Sequence, residues 1–328
     1  MGTSRERTLI FLGDVMLGRL VNRALERLPP EYPWGNTLPI LHQADYRFIN
    51  LECALTDWGE PEPGKTFCFR TDAKNVEVLR VARIDAVSLA NNHVLDYGDL
   101  GLRETLRHLD AAGIQHAGAG STAEEAQRPA WLTLDGLRIA FLAATDNQPG
   151  WEATASRPGV FYTPIDPADE RFQRLLALVS ETSAEADLVV VSLHWGPNWG
   201  YLPLPEHPVA AHQLIDSGAD IVFGHSPHIV RGIECYRHRP ILYSCGDFVD
   251  DYAVDQSERN DESFVFRVHL IETEPIRLTL LPTVIEAFQA RLAEGQRRDK
   301  LCELMTSLCR QLGTETRRTA SGLEIELR

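Results

Sequence analysis

Predicted strands that stop at a metal-binding or proton-transferring side chain recur along this sequence. Residues 8–12 form a mainly apolar run that stops at Gly13-Asp14, and residues 46–51 form a second predicted strand that stops at Glu52. Unbroken apolar runs are typical of strands that are buried on both faces, as in a mostly parallel sheet. Such strands constrain the chain to a layered α/β fold in which the polar strand ends share one edge of a sheet.

Three later segments repeat this arrangement. The predicted strands at residues 85–90, 187–193 and 220–223 lead to Asn91-Asn92-His93, to His194-Trp195-Gly196 and to Gly224-His225-Ser226-Pro227-His228. Helical segments are predicted at residues 17–28, 75–83, 100–112, 166–181 and 205–217, and a hairpin with the turn Asp135-Gly136 at residues 131–143. The alternation predicts mostly parallel sheets with helices outside, and ligands beyond the carboxyl ends of the strands.

The C-terminal part of the chain has a different pattern. Strands are predicted at residues 264–271 and 276–281, a helix at 291–312 and a short strand at 323–327. We expect one domain over residues 1–285 and a helix–strand extension of the same domain over residues 286–328. Two polar loops, residues 57–66 and 145–164, are expected to surround the entrance of the site.

The side chains at the strand ends suit a pair of divalent cations. Carboxylates, a carboxamide oxygen and imidazoles are all ligands for such ions, and Mn, Fe and Zn fit this mixture about equally. The predicted metal ligands are Asp14, Glu52, Asn92, His194, His225 and His228. One or two ions held there would activate a water molecule for hydrolytic or phosphoryl chemistry.

Three further residues are candidates for catalysis. His93 can protonate the leaving oxygen, and Asp96 can orient His93 by accepting its other ring N–H. Arg19 can pair with an anionic group of the substrate. Each residue also has an ordinary structural interpretation, such as a helix cap for Asp14, a turn cap for Asn92 or a surface position for Arg19. Five coincidences at strand ends favour the functional interpretation.

Charge and composition exclude several classes of protein. The net charge of −15 repels the nucleic-acid backbone, so a nucleic-acid partner is disfavoured. No stretch approaches the roughly 20 apolar residues that a membrane crossing needs. Residues 1–8 are polar and lack the pattern of a signal peptide, and the six cysteines lack a C-x-x-C spacing. We therefore expect a cytoplasmic protein with reduced thiols and no membrane partner; the oligomeric state stays open.

Several motifs together resemble the CapA family of bacterial capsule-synthesis and poly-γ-glutamate-synthesis proteins, which are related to calcineurin-like metallophosphoesterases. The resemblance runs from residue 8 to about residue 250. The motifs are residues 13–19, Asn50-Leu51-Glu52, residues 90–98, His194-Trp195-Gly196, residues 224–228 and residues 243–248. It implies a four-layer α/β/β/α sandwich with a dinuclear metal site between the two sheets.

The resemblance also implies individual roles. Asp14 matches the first aspartate of the phosphoesterase pattern, Glu52 the bridging carboxylate, and Asn92-His93 the Asn-His pair. His194 matches the next histidine ligand, and His225 with His228 the closing pair.

The chain departs from the pattern at three positions. Met16 stands where phosphoesterases usually carry a histidine, Asp247 where the family usually has asparagine, and Asn198 where it often has an acid. Many family members also carry a membrane anchor, which is not evident here.

The leading hypothesis is a metal-dependent hydrolase or transferase of the CapA type. Its substrate would be a small molecule or polymer with a phosphoester or γ-glutamyl-like amide bond. The alternative is a non-catalytic subunit that binds capsule polymer or a partner protein and keeps a vestigial metal pocket.

Overall fold

The computed structural model describes residues 6–328, so the interpretation of the first five residues lies outside the described part. The strands are, in chain order, β1 (Glu6–Val15), β2 (Tyr46–Leu51), β3 (Ala54–Leu55), β4 (Arg70–Thr71), β5 (Ala86–Ser88), β6 (Gln115–Ala117), β7 (Ala119–Gly120), β8 (Ala130–Leu134), β9 (Leu137–Thr145), β10 (Gly159–Val160), β11 (Leu188–His194), β12 (Ile221–His225), β13 (Ile233–Tyr236), β14 (Arg239–Leu242), β15 (Asp247–Val249), β16 (Glu262–Ile271), β17 (Glu274–Glu286), β18 (Gln289–Leu292), β19 (Arg317–Arg318) and β20 (Leu323–Glu326). The α-helices are α1 (Arg19–Leu25), α2 (Leu38–Leu41), α3 (Val76–Val81), α4 (Gly98–Ala112), α5 (Ala123–Gln127), α6 (Glu170–Ser183), α7 (Glu206–Asp216) and α8 (Gly295–Gln311). Short 3₁₀ segments occupy Tyr32–Thr37, Ala73–Asn75 and Pro149–Trp151.

Two large sheets carry the fold. The larger sheet has the strand order β19-β20-β17-β16-β1-β2-β5-β6, with β15 beside β1 and β18 beside β17. The smaller sheet has the order β13-β14-β12-β11-β9-β8. In both sheets the strands that lead to predicted site residues pair in parallel. The antiparallel pairs lie in the C-terminal half of the larger sheet and at the two edges of the smaller one.

The predicted hairpin is present between β8 and β9. Leu134 pairs with Leu137, and the two residues between them, Asp135 and Gly136, have φ angles of 48° and 85°. Positive φ at both central residues is the geometry that an Asp-Gly turn favours.

Three apolar layers separate the elements. The layer between the sheets includes Phe11, Phe48, Phe141 and Phe223. The rings of Phe11 and Phe223 lie 5.2 Å apart and join the two sheets directly. A second layer packs α1, α3 and α4 on the larger sheet, and a third packs α5, α6 and α7 on the smaller one. The predicted α/β/β/α sandwich is therefore confirmed.

The C-terminal segment packs on the larger sheet. Residues 289–292 form β18 beside the end of β17, so the helix predicted at 291–312 begins later, at Gly295. β20 pairs with β17, and α8 contributes Leu301 and Met305 to the layer between the sheets. The division at residue 285 stays a prediction.

No helix within residues 6–328 combines the length and the apolar character that crossing a membrane requires.

Candidate metal centre

Strand register places the acids of the larger sheet side by side. β1 lies between β2 and β15, and Asp14 pairs with Asn50 on one side and with Asp247 on the other. Because both neighbours run parallel to β1, their polar ends lie at the same edge. We call Asp14, Glu52, Asp247 and Asp250 the carboxylate edge; all four are buried, with at most 4% of their surface exposed.

The smaller sheet presents histidines at its facing edge. His194 pairs with His225 across β11 and β12 in parallel register. His228 follows three residues later, after a turn in which Ser226 has a φ of 101°. A non-glycine residue in that region is strained, and such strain is common at functional sites. We call His194, His225 and His228 the imidazole edge.

A glycine directly precedes one ligand on each edge, Asp14 on the carboxylate edge and His225 on the imidazole edge. A Cβ at Gly13 would lie 1.8 Å from Gly246 O, and a Cβ at Gly224 would lie 2.4 Å from Tyr243 O. In both places the neighbouring strand approaches so closely that a side chain does not fit. These two glycines therefore let the ligand-bearing strands come together.

The two edges meet around Asp14. Asn50 Nδ2 donates a hydrogen bond of 2.7 Å to Asp14 Oδ1, and His225 Nδ1 lies 3.8 Å from the same oxygen. His228 Nδ1 lies 3.1 Å from Asp247 Oδ1. Ligand atoms within 4.8 Å of one another form two groups, namely Asp14 with His194 and His225, and Asp14 with His228 and Asp247. The shared Asp14 makes these groups neighbouring positions for two ions.

The ring nitrogens of the imidazole edge are oriented by their neighbours. His225 Nε2 lies 2.6 Å from Ser192 Oγ, and His194 Nε2 lies 3.0 Å from Asn92 Oδ1. If both Nε2 atoms carry the proton in these contacts, the two Nδ1 atoms keep their lone pairs, and they face each other at 2.9 Å. Two lone pairs at that distance repel unless a cation or a proton lies between them.

Orphaned carboxylate oxygens also indicate a cation. Asp14 Oδ2, Glu52 Oε2, Asp247 Oδ2 and Asp250 Oδ2 are buried without a hydrogen-bond partner among the described residues. A buried oxygen without a donor is costly, and a buried carboxylate more so, unless a metal or a charged group compensates it. The donor set and these free oxygens together fit divalent ions.

Burial shifts the pKa values of the two edges in opposite directions. Desolvation raises the pKa of Asp14 to about 7 and that of Asp250 to about 6. It also raises the pKa of Glu52 and of Asp247 well above the usual range, and the neighbouring acids add to the effect. Desolvation lowers the pKa of His225 to about 3 and that of His228 to about 4. Burial removes the water that would solvate the charged form of each group. The acids therefore favour the protonated form, and the imidazoles stay neutral.

His93 and Asp96 form a separate dyad beside the two edges. His93 Nδ1 lies 2.6 Å from Asp96 Oδ2, so this N–H donates to the carboxylate and His93 Nε2 is left 3.8 Å from Glu52 Oε1. Lys65 Nζ donates to Asp96 Oδ1 and to the carbonyl of Asn92. Asp96 is thereby held between a histidine and a lysine.

A cleft of about 540 Å³ opens onto this centre. Glu52, His93, His194 and His228 form its floor, and the other lining residues include Arg19, Lys65, Thr66, Phe67, Trp199 and Tyr252. Arg19 Nε lies 3.2 Å from Asp251 Oδ2, and 39% of its side chain is exposed. The first of the two predicted loops, residues 57–66, thus contributes Lys65 and Thr66 to the cleft.

The second loop, residues 145–164, was expected at the entrance and does not line the cleft. It contacts residues that do: the Trp151 ring centroid lies 4.6 Å from Lys65 Nζ, and Asn147 Nδ2 lies 3.4 Å from Ser226 Oγ. The loop therefore supports the wall from behind.

The structure brings together all the residues that the sequence suggested for the site. Asp14, His194, His225 and His228 belong to the two ligand groups, while Glu52 and Asn92 lie beside them. Their ligand roles, and the catalytic roles of His93, Asp96 and Arg19, stay predictions. Sequence reasoning did not assign Asp247, Asp250 or Lys65 to the centre. Asp247 follows β14 after a short connection and begins β15, so the rule applied to the other strand ends does not reach it.

Met16 does not point to the centre. Its side chain lies in the apolar layer beneath the outer helices, and its Sδ accepts a hydrogen bond of 3.0 Å from Gly18 N.

Comparison with known proteins gives consistent matches along the chain. A family model described as bacterial capsule synthesis protein PGA_cap matches residues 8–252. A probable polyglutamine synthesis accessory protein of Mycobacterium tuberculosis is 36% identical over 312 residues, covering 90% of this chain and 82% of that protein. The PGA biosynthesis protein CapA of Bacillus subtilis is 31% identical over 275 residues, covering 83% and 70%. The capsule biosynthesis protein CapA of Bacillus anthracis is 29% identical over 283 residues, covering 85% and 67%.

Solved structures support the architecture. A hypothetical protein from Thermus thermophilus superimposes with a TM-score of 0.51 at 19% identity, covering 84% of this chain and 98% of that one. At this identity the likeness concerns the fold alone.

Proposed function

The chain belongs to the PGA_cap family of bacterial capsule synthesis proteins, the CapA family, and from this membership we propose that it is a metal-dependent hydrolase or transferase. Its substrate would contain a phosphoester or a γ-glutamyl-like amide bond. The names of its relatives support a role in capsule or poly-γ-glutamate biosynthesis.

One observation carries the proposal: four buried acids and three histidines converge beside a cleft that Glu52, His194 and His228 line, and carboxylate oxygens are left without donors. Structural acids in a protein interior are normally satisfied by hydrogen bonds or by basic side chains. Asp14, Glu52, His194, His225 and His228 would hold the ions. Divalent ions in this position supply Lewis-acid activation of a water molecule and of the leaving oxygen.

The remaining polar groups of the cleft are suited to transferring a proton and to binding an anionic group of the substrate. Asp96 orients His93 so that Nε2 is available on the cleft side, where it can transfer a proton to or from the substrate. Arg19 and Lys65 place positive charge on the wall of the cleft in a protein whose net charge is −15. A substrate with a phosphate or a carboxylate beside its reacting bond would be recognised by these cations.

The test combines metal analysis with two chromogenic substrates. The purified full chain is measured for bound Mn, Fe and Zn, and then assayed with bis(4-nitrophenyl) phosphate and with γ-glutamyl-4-nitroanilide. We expect bound ions and hydrolysis of one substrate, lost on chelation and restored by the metal. Because the two substrates differ in the bond that breaks, the active one identifies the reaction class.

A second candidate is a non-catalytic subunit that binds capsule polymer or a partner protein. The orientation of Met16 favours it, because the residue at the position of a phosphoesterase histidine offers no ligand. A related M. tuberculosis protein is also named an accessory protein. A chain that retains no ion and hydrolyses neither substrate would support this alternative.

The cellular setting follows from the same proposal. All six cysteines are free, which suits a reducing compartment, and we propose a cytoplasmic location. The acidic surface argues for a small-molecule or polymer substrate and against a nucleic acid.

A further inference from the structure

The second candidate ion position contains two acids and one histidine, namely Asp14, Asp247 and His228. Met16 is turned into the apolar layer and offers no ligand to the centre. Asp247 pairs with Asp14 in the parallel register of β1 and β15, so the two carboxylates occupy neighbouring strand positions at the same edge. The second position therefore receives one carboxylate from each of two neighbouring strands.

The two oxygens of Asp247 have different surroundings. Oδ1 lies 3.1 Å from His228 Nδ1, while Oδ2 is buried without a partner among the described residues. The other polar neighbour of Asp247 is Asp250, a second acid, which can satisfy Asp247 only by sharing a proton with it. An ionised Asp247 that served only to pair with His228 would therefore leave Oδ2 uncompensated in the interior. Asp14 Oδ2 has no partner either, and Asp14, His228 and Asp247 bring ligand atoms within 4.8 Å of one another.

We propose that Asp247 is a metal ligand which, with Asp14 and His228, completes a second ion position and makes it more favourable than the first position for a hard divalent ion such as Mn²⁺ or Mg²⁺. The first position, formed by Asp14, His194 and His225, takes an ion that prefers imidazole, such as Zn²⁺ or Fe²⁺. This inference rests on the proposed metal-dependent function.

The donor sets explain the selectivity. The second position has two carboxylates and one imidazole, whereas the first has one carboxylate and two imidazoles. Hard ions prefer oxygen ligands, and borderline ions accept nitrogen more readily. The additional carboxylate of Asp247 thus raises the preference of the second position for a hard ion relative to the first.

The test measures ion content and identity rather than turnover. Apo-protein is first given one equivalent of Zn²⁺ per chain and then an excess of Mn²⁺, because Zn²⁺ would displace Mn²⁺ from both positions at equal concentrations. It is then desalted and analysed for both metals, with Mn²⁺ also followed by its electron paramagnetic resonance signal. We expect two ions per chain in the unmodified protein, one of each kind. Asp247→Asn keeps the shape of the side chain and removes its charge. Because a neutral carboxamide binds a divalent ion more weakly than a carboxylate, we expect the variant to retain one ion, Zn²⁺, and to lose the Mn²⁺ signal on desalting.

Asp146→Asn is the matched control. Asp146 is a half-buried acid beside Gly196, from whose N–H it accepts hydrogen bonds of 3.0–3.1 Å, and it belongs to neither ligand group. Its variant loses the same charge and should bind both ions as the unmodified protein does. Circular dichroism and melting temperature verify that each variant is folded.

The outcomes separate this inference from the proposed function. Two ions of unchanged identity in Asp247→Asn would overturn the role of Asp247 and leave the metal-dependent function standing. An unmodified chain that binds no ion would overturn both. If Asp247→Asn does not fold, crystals of the unmodified protein are measured at the Mn absorption edge. A peak between Asp14, His228 and Asp247 is expected, and its absence there contradicts the proposal.

Discussion

The carboxylate edge and the imidazole edge lie opposite each other in the same interior, yet burial affects their ability to bind metal in opposite ways. An imidazole binds an ion when it is neutral, and desolvation keeps His225 and His228 neutral. A carboxylate binds an ion when it is charged, and desolvation favours the protonated form of Asp14 and Glu52. The imidazole edge is ready for an ion at neutral pH, whereas the carboxylate edge needs the ion to stay ionised.

The difference teaches that the charge of the centre depends on its ligand. Without a cation, four neighbouring acids in a low-dielectric interior repel one another and retain protons. A bound divalent ion would favour the ionised form of the acids on the larger sheet. It would change little at the smaller sheet, where the histidines are already neutral. Substitutions on the two edges should therefore have unequal effects.

The largest effect is expected for Asp14→Ala. Asp14 belongs to both ligand groups, so its loss should reduce ion content from two per chain to none, whereas His225→Ala should remove only one ion. Metal analysis of both variants measures the difference. His116→Ala, which lies outside both groups, is the control, and equal losses in Asp14→Ala and His225→Ala would contradict the shared role of Asp14.

The next effect concerns His93, which belongs to neither edge. We expect His93→Ala to retain both ions and to lose about 10²–10⁴-fold in kcat, the usual contribution of a general acid or base. Asp96→Asn should reduce kcat by a smaller factor, because it disturbs only the orientation of the ring. Steady-state kinetics on the active chromogenic substrate and metal analysis test this together. Loss of metal in His93→Ala would place His93 among the ligands instead.

The glycines before the ligands allow a direct comparison of the two edges in stability. Replacing either glycine by alanine would force a methyl group against neighbouring backbone. Such overpacking typically costs about 1–3 kcal/mol in the free energy of unfolding and occasionally more. The added Cβ would lie closer to backbone at Gly13 than at Gly224, 1.8 Å against 2.4 Å. Gly13→Ala should therefore be the more destabilising, as measured by denaturant unfolding of the apo-proteins. Gly136→Ala, where the space is open but φ is 85°, reports the backbone strain alone.

The pH dependence of ion binding should come from one edge only. Asp14, with a pKa of about 7, must release its proton to bind an ion, so affinity should fall as the pH decreases below 7. The expected loss is about tenfold per pH unit for each proton displaced. His225 and His228 are neutral down to about pH 4, so they do not contribute to the pH dependence of ion binding above that value. Titration with Mn²⁺ between pH 5 and 8 measures the slope. A loss that begins only below about pH 6.5, where ordinary histidines titrate, would instead point to the imidazole edge.

The sequence predicted the parts of this structure that local signals determine. Buried runs followed by polar residues located Asp14, His194 and His225, since parallel strands must bring their carboxyl ends to one edge. Asp247 follows β14 after a short connection and begins β15, so it does not stand directly at a predicted strand end, and in the sequence it stands out only as a departure from the family pattern. Lys65 could not be assigned, because it lies in an irregular loop whose path depends on tertiary contacts with Asp96 and Asn92. The start of α8 was misplaced because β18 forms only by pairing with β17.

The register of β1 with β15 has a consequence for biosynthesis. Asp14 and Asp247 lie near opposite ends of the matched region, residues 8–252, so the complete cation pocket cannot exist until almost all of that region has left the ribosome. Contacts between such distant segments form slowly, because a long loop must close first. Ion uptake should thus be a late event in maturation, and a chain interrupted before β15 would emerge without the capacity to acquire its full metal complement.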